Sequence, residues 1–223
     1  MRRLRTLAAF LGVLLSGAST GLAQVVFSSG APDQASGLAI NLITGGTAND
    51  FTLPGAFTLT SFQWYVLHPM TGSASITSSF LWSILIDANG SPGAALASGA
   101  VSNASGASTQ YKCCGSSVNF DVYRFDAGFG NLSLTAGTYW LAITNYTSPN
   151  NAFNPSYWAS SNGRSGNEMV LSGPLMGRYQ QEGAFTVYGV TTTPEPGSLA
   201  LAVTGLLGIL GWRLLLRRRG STE

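Results

Sequence analysis

A chain of 223 residues has room for one ordinary domain plus targeting segments. Only 9% of its residues are charged, against ~25% in a typical soluble domain. Arg2, Arg3 and Arg5 open the chain and Arg213, Arg217, Arg218 and Arg219 close it, so the region between carries a net charge of about −3 and no basic face for nucleic acid.

Residues 1–23 read as a secretory signal. Three arginines precede a short apolar run from Leu7 to Leu15, and Gly21-Leu22-Ala23 places small residues before a cut ahead of Gln24. The run is too short to cross a bilayer comfortably. A retained anchor is the alternative.

Residues 24–190 read as a single all-β domain. Aromatic residues make up 11% of the chain and supply a core, which excludes disorder. Period-two runs dominate and no long helical stretch intervenes. Phe57–Leu67 is a predicted strand. Phe80, Trp82, Ile84 and Ile86 share one face of the next, with Leu81 and Leu85 on the other. Asp87 to Gly93 turns the chain, and Ala94–Ser102 returns. Val118, Phe120 and Val122 alternate with polar neighbours, although Tyr123 and Phe125 thicken the second face. Leu132 and Leu134 precede a turn at Ala136-Gly137. Thr138–Thr144 is the strongest strand signal, and Ala184–Val190 is the last. Short strands with Gly-rich turns predict an antiparallel β-sandwich, with a jelly roll ahead of an immunoglobulin-like arrangement.

The candidate chemistry in this domain is sparse. His68, the single histidine, follows a predicted strand and reads as a loop residue. No Gly-x-Ser-x-Gly nucleophile elbow lies on a strand-to-helix turn to accompany it, and one histidine allows no multi-His zinc pattern. Asp121, Asp126, Glu168 and Glu182 are the carboxylates from which a glycoside-hydrolysing pair would be drawn. The sequence gives no way to place two of them at the ~5 or ~6.5–9.5 Å spacing which that chemistry needs. Asp87 and Asn89 are a weak calcium candidate in a turn that lacks the EF-hand pattern. No cofactor motif is present. Cys113 and Cys114 are the only cysteines. In an oxidising compartment they form a strained vicinal disulfide, stay free, or bond to another chain. Tyr111 and Gly115 flank them, and a ligand contact or a stiffened loop are both open. Trp64, Trp82, Trp140 and Trp158 divide by context. Trp82 and Trp140 lie in dense strands and read as core. The polar, turn-rich segment 152–164 presents Tyr157 and Trp158 as a candidate sugar platform, with a packed loop as the alternative. The expected protein is non-enzymatic; a carbohydrate-binding module and a glycan-acting hydrolase are the other two readings.

Residues 191–197 form a linker holding Pro194-Glu195-Pro196. Residues 198–216 are a 19-residue apolar run, ~28 Å long as a helix, which nearly matches the bilayer core. Trp212 suits the interface, and Arg213 reaches the headgroups by snorkelling. Residues 217–223 begin with Arg217-Arg218-Arg219, which favours the cytoplasmic side. A buried core helix is the alternative.

Pro-Glu-Pro, a Gly/Leu-rich span and a terminal basic cluster, in that order and behind a signal peptide, resemble the PEP-CTERM sorting signal of Gram-negative bacteria. Thr193 stands where that family often has Val. The resemblance implies recognition by exosortase, transient anchoring in the inner membrane, and processing near Pro194-Glu195-Pro196. It implies an ectodomain at the cell surface or outside the cell, in company with exopolysaccharide or biofilm matrix. Two phrases, Ile84 to Gly93 with Leu96 to Gly99 and Leu134 to Leu141, also resemble strand–turn–strand units of bacterial extracellular β-sandwich domains.

Overall fold

The computed structural model describes residues 22–40, 45–69, 73–114, 120–147, 156–163, 168–171, 177–192 and 205–206. The signal up to Gly21, the Pro-Glu-Pro linker, nearly all of the apolar run and the arginine tail lie outside them. No helix among the described residues is long and apolar enough to cross a membrane.

The described domain is all-β and antiparallel. It runs β1 (Gln24–Ser28), β2 (Pro32–Ala39), β3 (Thr47–Leu53), β4 (Phe57–Pro69), β5 (Ser75–Asp87) and β6 (Pro92–Cys113). It continues with β7 (Phe120–Leu134), β8 (Gly137–Thr147), β9 (Tyr157–Ser161), β10 (Glu168–Val170), β11 (Gly177–Tyr179) and β12 (Phe185–Thr191). The hydrogen-bonded order is β1-β12-β4-β7-β6-β5-β8-β3-β10-β11, with β9 joining β2 to β4. This is one continuous sheet curled into a half-barrel, where two separate sheets of a jelly-roll sandwich were expected.

Alternation along each strand explains the curl. On β4, Phe62, Trp64 and Val66 are buried on one face. On β5 the inward row is Ile76, Ser78, Phe80, Trp82 and Ile84. β4 and β5 share no hydrogen bonds, yet the Trp64 and Phe80 rings lie 5.1 Å apart and Phe62 and Trp82 6.2 Å. Phe125 of β7 fits between, 5.7 Å from Trp64 and 6.0 Å from Phe80. At the other side Phe27 of β1 meets Phe51 of β3 at 5.9 Å. Apolar burial and edge-to-face or tilted ring pairs, worth ~0.5–1.5 kcal/mol each beyond area, therefore pull distant strands of one sheet together.

Three strand expectations change. Ile86 is 38% exposed, because the inward row ends at Ile84. The core face of β7 is Tyr123, Phe125, Ala127 and Phe129, and Val118 lies outside the described residues. The return strand is not Ala94–Ser102 but the 22-residue β6. β6 pairs with β5 through Ala107 and then with β7 from Ala107 to Cys113, so it carries the sheet around its bend. Its small residues are required there. A Cβ on Gly99 would lie 2.6 Å from the Trp82 ring, and one on Gly106 2.4 Å from the Phe125 ring.

Candidate functional site

The outer face of the sheet carries a groove of about 290 Å³ lined by Tyr65, Ala107, Ser108, Thr109, Tyr111 and Arg124. Strand register builds it. Ala107, Arg124 and Tyr65 are direct cross-strand neighbours on β6, β7 and β4. Beyond Ser108 the pairing of β6 with β7 slips before resuming at Lys112. This bulge puts Gln110 at φ 64° and swings Tyr111 outward to 47% exposure. Side chains pin it: the Thr109 hydroxyl donates to the Val122 carbonyl at 2.8 Å, and the Gln110 N–H donates to Ser108 Oγ at 3.3 Å.

A polar chain fixes the groove floor. Tyr65 donates its hydroxyl to Gln63 at 3.0 Å, and Gln63 donates to Asp126 at 2.9 Å. Arg124 Nε lies 3.3 Å from Asp126, both side chains about half exposed. The Arg124 terminal nitrogens and the Tyr111 hydroxyl have no hydrogen-bond partner among the described residues. Burial raises the pKa of the Tyr65 hydroxyl against the opposing pull of Arg124, so it stays a proton donor at neutral pH.

The structure moves the expected sugar platform. Trp158 is fully buried on β9, 5.4 Å from Trp64 and 5.7 Å from Phe185. Its indole N–H donates to the Ala184 carbonyl at 3.1 Å. Tyr157 is half-buried and packs on Phe120 at 5.5 Å. Alternation does this: once residues 157–161 pair with β2 and β4, Trp158 must face inward. Trp82 and Trp140 are buried.

His68 sits on β4 rather than in a loop and is 2% exposed. Its Nδ1 meets the Pro69 carbonyl at 3.0 Å, and its Nε2 has no hydrogen-bond partner. Among the described residues no serine hydroxyl hydrogen-bonds to it. Asp121 stands opposite His68 and pairs with Lys112.

Of the four candidate carboxylates, Glu168 and Glu182 are brought near each other and both are buried. Glu168 pairs across strands with Asn49, whose amide nitrogen lies 3.4 Å from its carboxylate. Burial, opposed by Asn49 and reinforced by the Glu182 charge, pushes the Glu168 pKa up to about 8. Asn49 Oδ1 also accepts the Gly183 N–H at 2.6 Å. The group holds the chain at Gly183 in place and does not line the groove.

The carboxylate of the calcium candidate is tied into its own turn and to Trp140. Asp87 accepts the Gly90 N–H at 3.0 Å and the Trp140 indole N–H at 2.8 Å. Those two bonds, the backbone one first, hold its pKa below the ordinary value. Asn89 takes φ 57° in the turn. Among the described residues no group of three His, Cys, Asp or Glu is placed to hold a metal. Cys113 and Cys114 are joined as a vicinal disulfide. Cys113 is buried with Leu67, Val122 and Ala159, while Cys114 is exposed at φ 73°.

Pro194, Glu195, Pro196, Arg217, Arg218 and Arg219 lie outside the described residues, and here comparison of sequences speaks. No curated protein and no solved structure matches the chain. The model of the PEP-CTERM protein-sorting motif matches residues 192–219. It begins where the last described strand ends, since β12 closes at Thr191. The motif implies an exported protein that exosortase recognises as a substrate, through a membrane-anchored sorting intermediate. The chain thus carries a PEP-CTERM protein-sorting motif behind an all-β domain.

Proposed function

We propose that this is a non-enzymatic cell-envelope or matrix protein of a Gram-negative bacterium. The signal at residues 1–23 exports it, and the apolar run at 198–216 holds it at the inner membrane with Arg217-Arg218-Arg219 inside. Exosortase then processes it near Pro194-Glu195-Pro196, and the β domain serves at the cell surface in association with exopolysaccharide. The observation that carries this reading is the sorting motif at residues 192–219, directly after the last strand. A signal at one end and a basic cluster at the other orient both termini inward. The low charge and closed aromatic core suit a stable extracellular module. Supporting a non-catalytic role, Glu168 and Glu182 are enclosed, and among the described residues His68 has no serine partner.

The test is cell fractionation with and without exosortase. The wild-type β domain should leave the inner membrane only when exosortase is present. A variant with Pro194, Glu195 and Pro196 all changed to Ala should stay in the inner membrane in both strains. Equal distribution of the two proteins in the strain that has exosortase would end this reading.

A further inference from the structure

We infer that the outer-face groove between β4, β6 and β7 binds a polysaccharide, with a sugar ring stacked on Tyr111 and its oxygens held by the Arg124 fork. The inference deepens the proposed association with exopolysaccharide and rests on it for the polymer's presence. Three features of the groove lead to it. The first is a fixed aromatic face: the β6 bulge turns Tyr111 out, and Ser108 and Thr109 pin that bulge. Sugars present C–H faces that pack on aromatic rings, and a Tyr held by its backbone loses little entropy on binding.

The second is a set of unused donors. Arg124 meets Asp126 through Nε, and the terminal nitrogens of its half-exposed side chain make no hydrogen bond among the described residues. A surface pair of this kind is weak and does not occupy the fork. Two parallel N–H donors match vicinal hydroxyls or a uronate carboxylate. The third is preorganisation. Tyr65, Gln63 and Asp126 already form a hydrogen-bonded chain on two paired strands, so the floor need not rearrange. The groove is open, as a site for the middle of a long chain must be, and Cys113–Cys114 stiffens the strand end two residues beyond Tyr111.

The experiment is affinity electrophoresis and calorimetry with the full-length protein in detergent. The probes are hydroxyethyl cellulose, dextran, alginate and the strain's own purified exopolysaccharide. The wild type should bind at least one of them. Tyr111→Ala and Arg124→Ala should each weaken that binding about tenfold or more, and Arg178→Ala on β11 should not. Both groove positions are about half exposed, and unchanged near-ultraviolet circular dichroism should show that the variants fold. Binding that survives both groove substitutions overturns the site and leaves the polysaccharide association standing. No binding by the wild type to any probe overturns both.

Discussion

Replacing Trp158 with Ala separates a core residue from a ligand platform. Trp158 is fully buried, touches the Trp64 and Phe185 rings, and donates its N–H to the Ala184 carbonyl. Truncating a buried Trp to Ala costs ~3–5 kcal/mol. Stranding the Ala184 carbonyl adds ~1 kcal/mol. The sum of ~4–6 kcal/mol is a large fraction of the ~5–15 kcal/mol that holds a domain together. At ~2–4 °C per kcal/mol for a domain of this size, Tm should fall by roughly 10–20 °C. Thermal melting of the wild type and Trp158→Ala, followed by near-ultraviolet circular dichroism, reads this directly. Trp158→Phe keeps most of the ring and should recover more than half of the loss. A Trp158→Ala protein that melts with the wild type and loses only glycan binding would refute the placement of β9.

Gly106→Ala should destabilise the domain by ~1–3 kcal/mol, because its Cβ would lie 2.4 Å from the Phe125 ring; urea unfolding measures it. Glu168 supplies a pH test with divalent cations chelated. Its folded pKa of about 8 lies above its unfolded value of 4.5, so the folded state holds the extra proton between them and stability should fall as pH rises from about 4.5 to 8. Glu168→Gln should flatten that slope, and urea midpoints at several pH values show whether it does. Asp87 has the opposite sign: its depressed pKa gives stability present above the unfolded pKa and lost as pH falls through the folded one, and Asp87→Asn should remove that acid-side loss. The wild type should melt alike in millimolar calcium and in chelator, since among the described residues no group of three His, Cys, Asp or Glu is placed to hold a metal.

Strong alternation was legible in the sequence, and weak alternation was not. Phe57–Leu67, Thr138–Thr144 and Ala184–Val190 each became a strand, because one face of each needs burial. β6 is rich in Gly, Ala and Ser and carries almost no apolar period, so its second half had no signal. Its partners' rings hold it: Trp82 and Phe125 occupy the space where side chains at Gly99 and Gly106 would stand. Trp158 misled because polarity of the surrounding segment suggested exposure, while pairing with β2 and β4 decided its direction. The groove was legible only at Tyr111. Tyr65 and Arg124 lie far apart in sequence and meet through register, which no local motif encodes.

The account stands most directly on where the mature chain begins and ends. Intact-mass spectrometry of the protein from isogenic strains with and without exosortase measures both termini at once. The account predicts a chain starting at Gln24 in both strains. It predicts loss of the tail near Pro194-Glu195-Pro196 only where exosortase is present, and a mass two hydrogens light for the Cys113–Cys114 bond. A chain that keeps Met1 and Arg219 in both strains, recovered from the cytosol, would contradict it.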